Sequence, residues 1–112
     1  YMSNGNKPLT IYGEGDTLLV VEDVLSAIKI ARLRHDGYCA TPLLGSSMSK
    51  QAEAQLVKRY KNIHVWLDRD KAKNAVRIRN RLRSLGINSR AIITPLDPKE
   101  YNRTEISKWL KS

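Results

Sequence analysis

The sequence predicts an α/β domain with a mostly parallel central sheet of about four strands and helices on both faces. Short apolar segments rich in β-branched residues alternate with stretches of about 10–15 residues that have helical apolar spacing. The 112 residues are enough for one hydrophobic core, and a hydrophobic fraction of 41% is typical of a folded globular domain.

The predicted elements lie in one domain over residues 9–112, after a polar segment 1–8 that we expect to be a disordered tail or a tag remnant. In chain order they are strands at 9–12 and 17–21, a helix at about 24–35, a strand at 38–44, a helix at about 50–60, a strand at 62–67, a helix at about 71–85, a strand at 89–96 and a helix at about 103–111. The first two strands flank the turn-prone GEGD segment, which predicts an N-terminal hairpin or two consecutive strands.

Local signals set the ends of these helices. Asp23 is a predicted N-cap of the first helix, whose expected apolar face consists of Val24, Leu25, Ile28 and Ala31. Gly86 follows the third helix at a position where a left-handed residue commonly ends a helix.

The charge balance indicates a polyanionic partner. Twenty Lys and Arg residues against eleven Asp and Glu residues give a net charge of +9, which favours nucleic acid or nucleotide phosphate.

The longest apolar run, LLVV at 18–21, is far too short to span a membrane, and no membrane partner is expected. Because residues 1–9 are polar, we expect no secretory signal and a cytoplasmic protein. Cys39 is the sole cysteine, so no internal disulfide forms, and a buried structural role is expected for it.

Acidic side chains follow two of the predicted parallel strands. The strand at 17–21 is followed by Glu22 and Asp23, and the strand at 62–67 by Asp68 and Asp70. The carboxyl ends of parallel strands meet at one edge of a sheet, where ligands bind. In an extended chain residues i and i+2 point to the same side, so Asp68 and Asp70 are expected to face one point. Carboxylates converging in this way suit Mg²⁺.

Structural roles compete with this interpretation. Asp23 and Asp70 each precede a predicted helix and could each be only an N-cap. Glu22 and Asp68 are harder to explain so, because an unpaired charge at the end of an apolar strand is costly.

The predicted helix at 71–85 and its approach are strongly basic. They carry Arg69, Lys71, Lys73, Arg77, Arg79, Arg81 and Arg83. Lys73, Arg77 and Arg81 recur at intervals of four and are expected to form one exposed ridge that binds phosphate. Ser46 and Ser47, with Lys50, begin the preceding helix and either hold a phosphate or cap that helix.

Four segments together resemble a Toprim domain, the catalytic module of primases, topoisomerases and related nucleases. They are LLVVE with Glu22, HVWLDRD with Asp68 and Asp70, PLLGSSMSKQAEAQL, and ITPLDPKEY with Asp97. The resemblance spans roughly residues 17–101 and is greatest to phage and bacterial primases. It implies a compact, Rossmann-like fold.

The resemblance also implies residue roles and partners. Glu22 is the expected general acid/base and a further metal ligand. Asp68 and Asp70 are the expected ligands of Mg²⁺, or of Mn²⁺ in its place. A DNA template, nucleoside triphosphates, and other primase or helicase domains are the implied partners, in a bacterial cell or from a phage. Asp97 precedes Pro98 and satisfies an N-cap pattern, so we expect a structural role first and a metal-linked role second. Asp23 stands where the family usually has Gly.

The resemblance implies Mg²⁺-dependent nucleotidyl transfer by the catalytic Toprim domain of a DNA primase, an enzyme that synthesises RNA primers on a DNA template. Three other functions remain open on the sequence alone. A Toprim nuclease would use the same acids to cut nucleic acid, and a catalytically silent Toprim-like domain would only bind it. A receiver domain of a response regulator also gathers acids at strand ends, but this chain lacks its Lys-Pro pair at the last strand and is far more basic.

Overall fold

The chain alternates strands and helices throughout, in a computed structural model that describes residues 10–33, 37–43 and 50–111. The elements are β1 (Thr17–Val21), α1 (Val24–Leu33), β2 (Tyr38–Pro42), α2 (Lys50–Arg59), β3 (Asn62–Asp68), a 3₁₀ turn (Arg69–Lys71), α3 (Ala72–Ser84), β4 (Ala91–Thr94), a second 3₁₀ turn (Pro98–Glu100) and α4 (Arg103–Lys111). Residues 44–49, which include Ser46 and Ser47, lie outside the described residues.

The four strands form one parallel sheet in the order β2-β1-β3-β4. β1 and β3 are the central strands, and four of the five residues of β1 are buried. A strand covered on both faces is apolar at consecutive positions rather than at alternate ones, which explains the LLVV run. The predicted α/β fold class is confirmed.

Two hydrophobic cores cover the two faces of the sheet. Leu18, Val20 and alternate residues of β3 face α2 and α3, whose buried side chains include Leu56 and Leu82. On the other face, α1 and α4 contribute Ala27, Ile30, Ile106 and Leu110 around Trp66. Cys39 is buried, as predicted, and burial raises the pKa of its thiol. None of the helices among the described residues combines the length and the apolar character needed to cross a membrane.

Of the two alternatives predicted for residues 9–12, the hairpin with β1 is wrong, and the described residues 10–12 form no strand of their own. Tyr12 instead forms an isolated antiparallel bridge with Ala40 of β2, through N···O distances of 2.7 and 2.9 Å. β1 has β2 on one side and β3 on the other, so it has no free edge, whereas β2 is an edge strand. Gly15 passes so close to Gly37 that a Cβ on it would lie 2.4 Å from the Gly37 carbonyl carbon. A glycine is therefore required where the chain crosses to β2.

The buried face of α1 differs from the predicted one. Ser26, Ala27 and Ile30 are fully buried, whereas Leu25 is 65% exposed. The helix is rotated so that Ser26 faces the second 3₁₀ turn, where its Oγ accepts a hydrogen bond from Lys99 N at 3.4 Å. The polar Ser26 is therefore buried on the face of α1 that packs against the protein, whereas the apolar Leu25, which the periodicity placed on that face, is exposed.

Candidate metal centre

Three acids converge at the carboxyl edge of the sheet. Glu22 directly follows β1, Asp68 ends β3, and Asp97 comes three residues after β4, whose Thr94 pairs with Asp68. One carboxylate oxygen of each lies within 4.8 Å of the other two, and no other such acidic, His or Cys group occurs among the described residues. We call Glu22, Asp68 and Asp97 the acid triad.

Two oxygens of the acid triad lack a hydrogen-bond donor. Asp68 Oδ1 and Asp97 Oδ1 are buried, and neither has a partner among the described residues. A buried carboxylate oxygen without a donor is costly and calls for a specific explanation. Mg²⁺ is held by one or two carboxylates and completes its octahedral shell with water and phosphate oxygens. The donor set of the acid triad therefore fits a hard divalent cation.

The electrostatics of the acid triad are repulsive. Burial raises the pKa of Glu22, and the charges of Asp97 and Asp68 raise it further. The pKa of Asp97 is raised by burial and then by the charges of Asp68 and Asp23. Lys71 Nζ, 4.0 Å from Glu22 Oε1, acts in the opposite direction. Close like charges of this kind are relieved by a cation bound among them.

Asp70 is not a member of the acid triad, although the sequence pairs it with Asp68. The chain leaves the extended conformation at Arg69 and enters a 3₁₀ turn, so the rule that i and i+2 point together does not hold here. The Asp70 side chain is exposed. Asp70 is not the N-cap of α3 either, since that position belongs to Lys71. A role for Asp70 as a metal ligand stays a prediction.

Asp23 has the capping role that the sequence predicted. Its Oδ1 accepts a hydrogen bond from Ser26 N at 2.8 Å, and its Oδ2 lies 2.5 Å from Lys99 Nζ. Burial alone would raise the pKa of Asp23, but the hydrogen bonds from Lys99 and Ser26 outweigh burial and lower it. Asp23 is thus an ion-paired helix cap beside the acid triad.

Asp97 does not make the side-chain capping bond that the sequence favoured for it. It stands at the N-cap of the second 3₁₀ turn with Pro98 after it, but the turn is closed by its backbone oxygen, which accepts from Glu100 N at 2.9 Å. The side chain is thereby released toward Glu22 and Asp68. The signal for this lay in the resemblance of ITPLDPKEY to the primase segment rather than in the capping pattern.

A polar network fixes the loop that carries Asp97. Trp66 Nε1 donates to Thr94 Oγ1 at 3.0 Å, and Thr94 Oγ1 donates to Leu96 O at 2.5 Å. Tyr101 stacks on Trp66 with 6.4 Å between ring centroids, and its hydroxyl accepts from Leu96 N at 3.3 Å. Because Trp66 is fully buried in β3, this network couples the Asp97 loop to the strand that ends in Asp68.

The basic residues do not form one uniform ridge. Arg81 Nε is 3.1 Å from Glu53 Oε1 of α2, so its charge is already paired, and Arg77 donates to Asn74. Lys73 is exposed and lines a cleft on α3 together with Arg77. The predicted ridge is therefore reduced at its far end, where the charge of Arg81 is paired with Glu53. Just before α3, Lys71 lies 4.0 Å from Glu22 of the acid triad.

Of the four other predicted phosphate-binding residues, two lie among the described residues. Lys50 and Arg69 are exposed, at the beginning of α2 and directly after β3 respectively. Since Ser46 and Ser47 lie outside the described residues, the predicted phosphate site at the start of α2 stays a prediction.

No family model and no curated protein matches this sequence. Solved structures with the same fold include two from DnaG primase. The DnaG catalytic core is 23% identical with a TM-score of 0.68, and the DnaG primase catalytic domain bound to ssDNA is 22% identical with a TM-score of 0.62. Each match covers 88% of this chain but only 35% of the DnaG chain, so the present chain spans about a third of their length. The chain therefore has a Toprim-like fold of the kind found in the DnaG catalytic core.

Proposed function

We propose that this chain is the catalytic Toprim domain of a DNA primase, which joins ribonucleotides on a DNA template with Mg²⁺ as cofactor. The acid triad carries the proposal, because its three carboxylates converge at the carboxyl edge of the sheet and two of their oxygens are buried without a partner among the described residues. The fold shared with the DnaG catalytic core supports the same reaction class. Fold alone does not fix chemistry, so the proposal rests on the acids.

Asp68 and Asp97 are the proposed principal ligands, with Glu22 as a further ligand or as the proton acceptor. A bound divalent cation would neutralise a triphosphate and stabilise the charge that develops during phosphoryl transfer. In the reaction a terminal hydroxyl oxygen bonds to the α-phosphorus, the bond from that phosphorus to the bridging oxygen breaks, and pyrophosphate leaves. The raised pKa of Glu22 suits a carboxylate that takes up the hydroxyl proton.

The basic start of α3 is the proposed contact for the template or the triphosphate. Lys71 Nζ lies 4.0 Å from Glu22, and Lys73 is exposed in the first turn of α3, the helix that follows the strand ending in Asp68. Phosphate contacts by lysine position nucleic acid without reading its sequence. The primase catalytic domain with the related fold was solved bound to ssDNA, which supports a single-stranded substrate for this chain as well.

The first experiment measures Mn²⁺ binding by calorimetry in the wild type, Glu22→Gln, Asp68→Asn and the control Asp16→Asn. Asp16 is exposed and precedes β1, so it lies at the opposite edge of the sheet. We expect Asp68→Asn to weaken binding at least tenfold, in line with the loss of a ligand, and Asp16→Asn to leave it unchanged. Equal affinity in all four proteins would contradict the proposed centre.

The second experiment supplies single-stranded DNA and labelled ribonucleoside triphosphates with Mg²⁺ or Mn²⁺. Template-dependent oligoribonucleotides that disappear in Glu22→Gln and Asp68→Asn support the primase. Metal-dependent cutting of the DNA, lost in the same variants, would assign a nuclease instead. DNA binding with an intact metal site and neither product would indicate a silent binding domain.

A further inference from the structure

The acid triad is accompanied by a lysine that contacts two carboxylates at once. Lys99 lies in the second 3₁₀ turn, and its Nζ is 2.5 Å from Asp23 Oδ2 and 3.7 Å from Asp97 Oδ2. About a third of the side chains of Lys99 and Asp23 is exposed, whereas the Asp97 side chain is 16% exposed. The ammonium group therefore bridges a member of the acid triad and the helix cap outside it.

The backbone holds this lysine in place. Lys99 N donates to Ser26 Oγ at 3.4 Å, and Ser26 N donates to Asp23 Oδ1 at 2.8 Å. The start of α1 and the second 3₁₀ turn are thus joined by one hydrogen bond besides the ion pair, and the second hydrogen bond orients the Asp23 carboxylate that receives the ammonium group. The position of the ammonium group is consequently part of the packing between these two elements.

The two oxygens of Asp97 have different surroundings. Oδ2 faces the ammonium group of Lys99, whereas Oδ1 is buried and has no partner among the described residues. One oxygen is thus available to a divalent ion inside the acid triad. A second ion bridging Asp97 and Asp23 would have to occupy the space that Lys99 Nζ fills.

The charges of the acid triad, Asp23 and the two lysines that contact these acids balance with one divalent ion. Glu22, Asp23, Asp68 and Asp97 supply four negative charges, and the ammonium groups of Lys99 and Lys71 supply two positive ones. One divalent cation supplies the remaining two. A second divalent ion would add positive charge next to an ammonium group already in contact with the same carboxylates.

We propose that Lys99 takes the place of a second metal ion, so that the centre binds a single divalent cation between Glu22, Asp68 and Asp97. This inference rests on the proposed function, because it concerns the metal of the same site. Lys99 accordingly determines how many metal ions bind and how tightly, because its positive charge is part of the chain and, unlike a second metal ion, cannot leave the site.

The test counts bound Mn²⁺ by electron paramagnetic resonance of the free ion and measures affinity by calorimetry. The proteins are the wild type, Lys99→Met, Lys99→Arg and the control Lys58→Met. Lys58 is exposed in the last turn of α2, at the opposite edge of the sheet, so its replacement removes the same charge far from the centre.

We expect one Mn²⁺ per chain in the wild type, Lys99→Arg and Lys58→Met. In Lys99→Met we expect two, with the first bound roughly tenfold more tightly because a positive charge a few ångströms away has been removed. Two ions in the wild type would overturn the inference and leave the proposed function intact, as would a single ion of unchanged affinity in Lys99→Met. If Lys99→Met fails to fold, the wild-type count still tests the inference, because two ions in the wild type would overturn it.

The proposed function fails in a different way. If the wild type binds no Mn²⁺ at millimolar concentration, neither the metal centre nor the role of Lys99 stands. Circular dichroism of each variant checks that the fold is retained before the ions are counted.

Discussion

Replacement of Asp97 by Asn should change the sign of its effect on stability when metal is added. In EDTA the substitution removes two like-charge contacts, since oxygens of Glu22 and Asp68 lie within 4.8 Å of one of Asp97. Each contact is worth about 1 kcal/mol if the medium resembles water. The lost attraction to Lys99, 3.7 Å away, offsets part of this gain. We therefore expect a net stabilisation of about 1 kcal/mol, which would raise the melting temperature by about 4 °C.

With saturating Mn²⁺ the order should reverse. A ligand that binds only the folded state at a hundred times its dissociation constant stabilises that state by about 2.7 kcal/mol. Loss of one carboxylate ligand should weaken binding at least tenfold, so the metal-induced gain of Asp97→Asn should be smaller by about 1.4 kcal/mol or more.

The assay is urea unfolding of the wild type, Asp97→Asn and Asp70→Asn, each in EDTA and in Mn²⁺. Asp70→Asn is the matched control, because it removes the same charge from an exposed residue outside the acid triad. Destabilisation by Asp97→Asn in EDTA would refute the repulsion argument. A metal-induced gain that is lost in Asp70→Asn but kept in Asp97→Asn would restore the pair of ligands read from the sequence.

Three further outcomes follow from the described contacts. Thr94→Val should destabilise the protein by about 1–3 kcal/mol in urea unfolding, because the buried Trp66 indole N–H loses its acceptor, and no loss would contradict that contact. Burial lowers the pKa of His64 below 6.5. The contribution of neutral His64 to stability is therefore present above pH 6.5 and is lost as the pH falls toward the pKa of the folded state. Over that range the unfolding free energy of His64→Gln should decline less than that of the wild type. Lys73→Ala should reduce the salt dependence of single-stranded DNA binding by about one phosphate contact in fluorescence anisotropy titrations, whereas Arg81→Ala, whose charge is already paired, should have a smaller effect.

The strand ends were predictable because they depend on local pattern and on a general property of parallel sheets. Glu22 and Asp68 each follow a continuous apolar run, and such runs mark strands covered on both faces. Because β1 and β3 are adjacent and parallel, the carboxylates that follow them lie at the same edge of the sheet. The sequence therefore predicts two members of the acid triad without any knowledge of side-chain geometry.

Asp70 and Asp97 depended on the backbone beyond the strands. The side chains of Asp68 and Asp70 would point to the same side only if Arg69 were also extended. Arg69 instead begins a 3₁₀ turn. Capping patterns identify residues that can cap, but the side chain of Asp97 is used elsewhere. Periodicity likewise misplaced the buried face of α1, because a contact between Ser26 and Lys99 joins segments that are far apart in the sequence. Long-range polar contacts of this kind leave no periodic signal.

The acid triad is complete only when β4 has paired with β3, and we expect this pairing at the edge of the sheet to form late in folding. The three acids lie in neighbouring elements of the fold but come from widely separated parts of the sequence. Asp97 follows β4, which among the described strands pairs with β3 alone. A partly folded chain in which β4 has not yet docked lacks one ligand, so its affinity for a divalent ion should be low. Contacts that form after the transition state slow unfolding more than they speed folding. A divalent ion bound by the acid triad should therefore slow unfolding and lengthen the lifetime of the native state, while the folding rate stays almost unchanged.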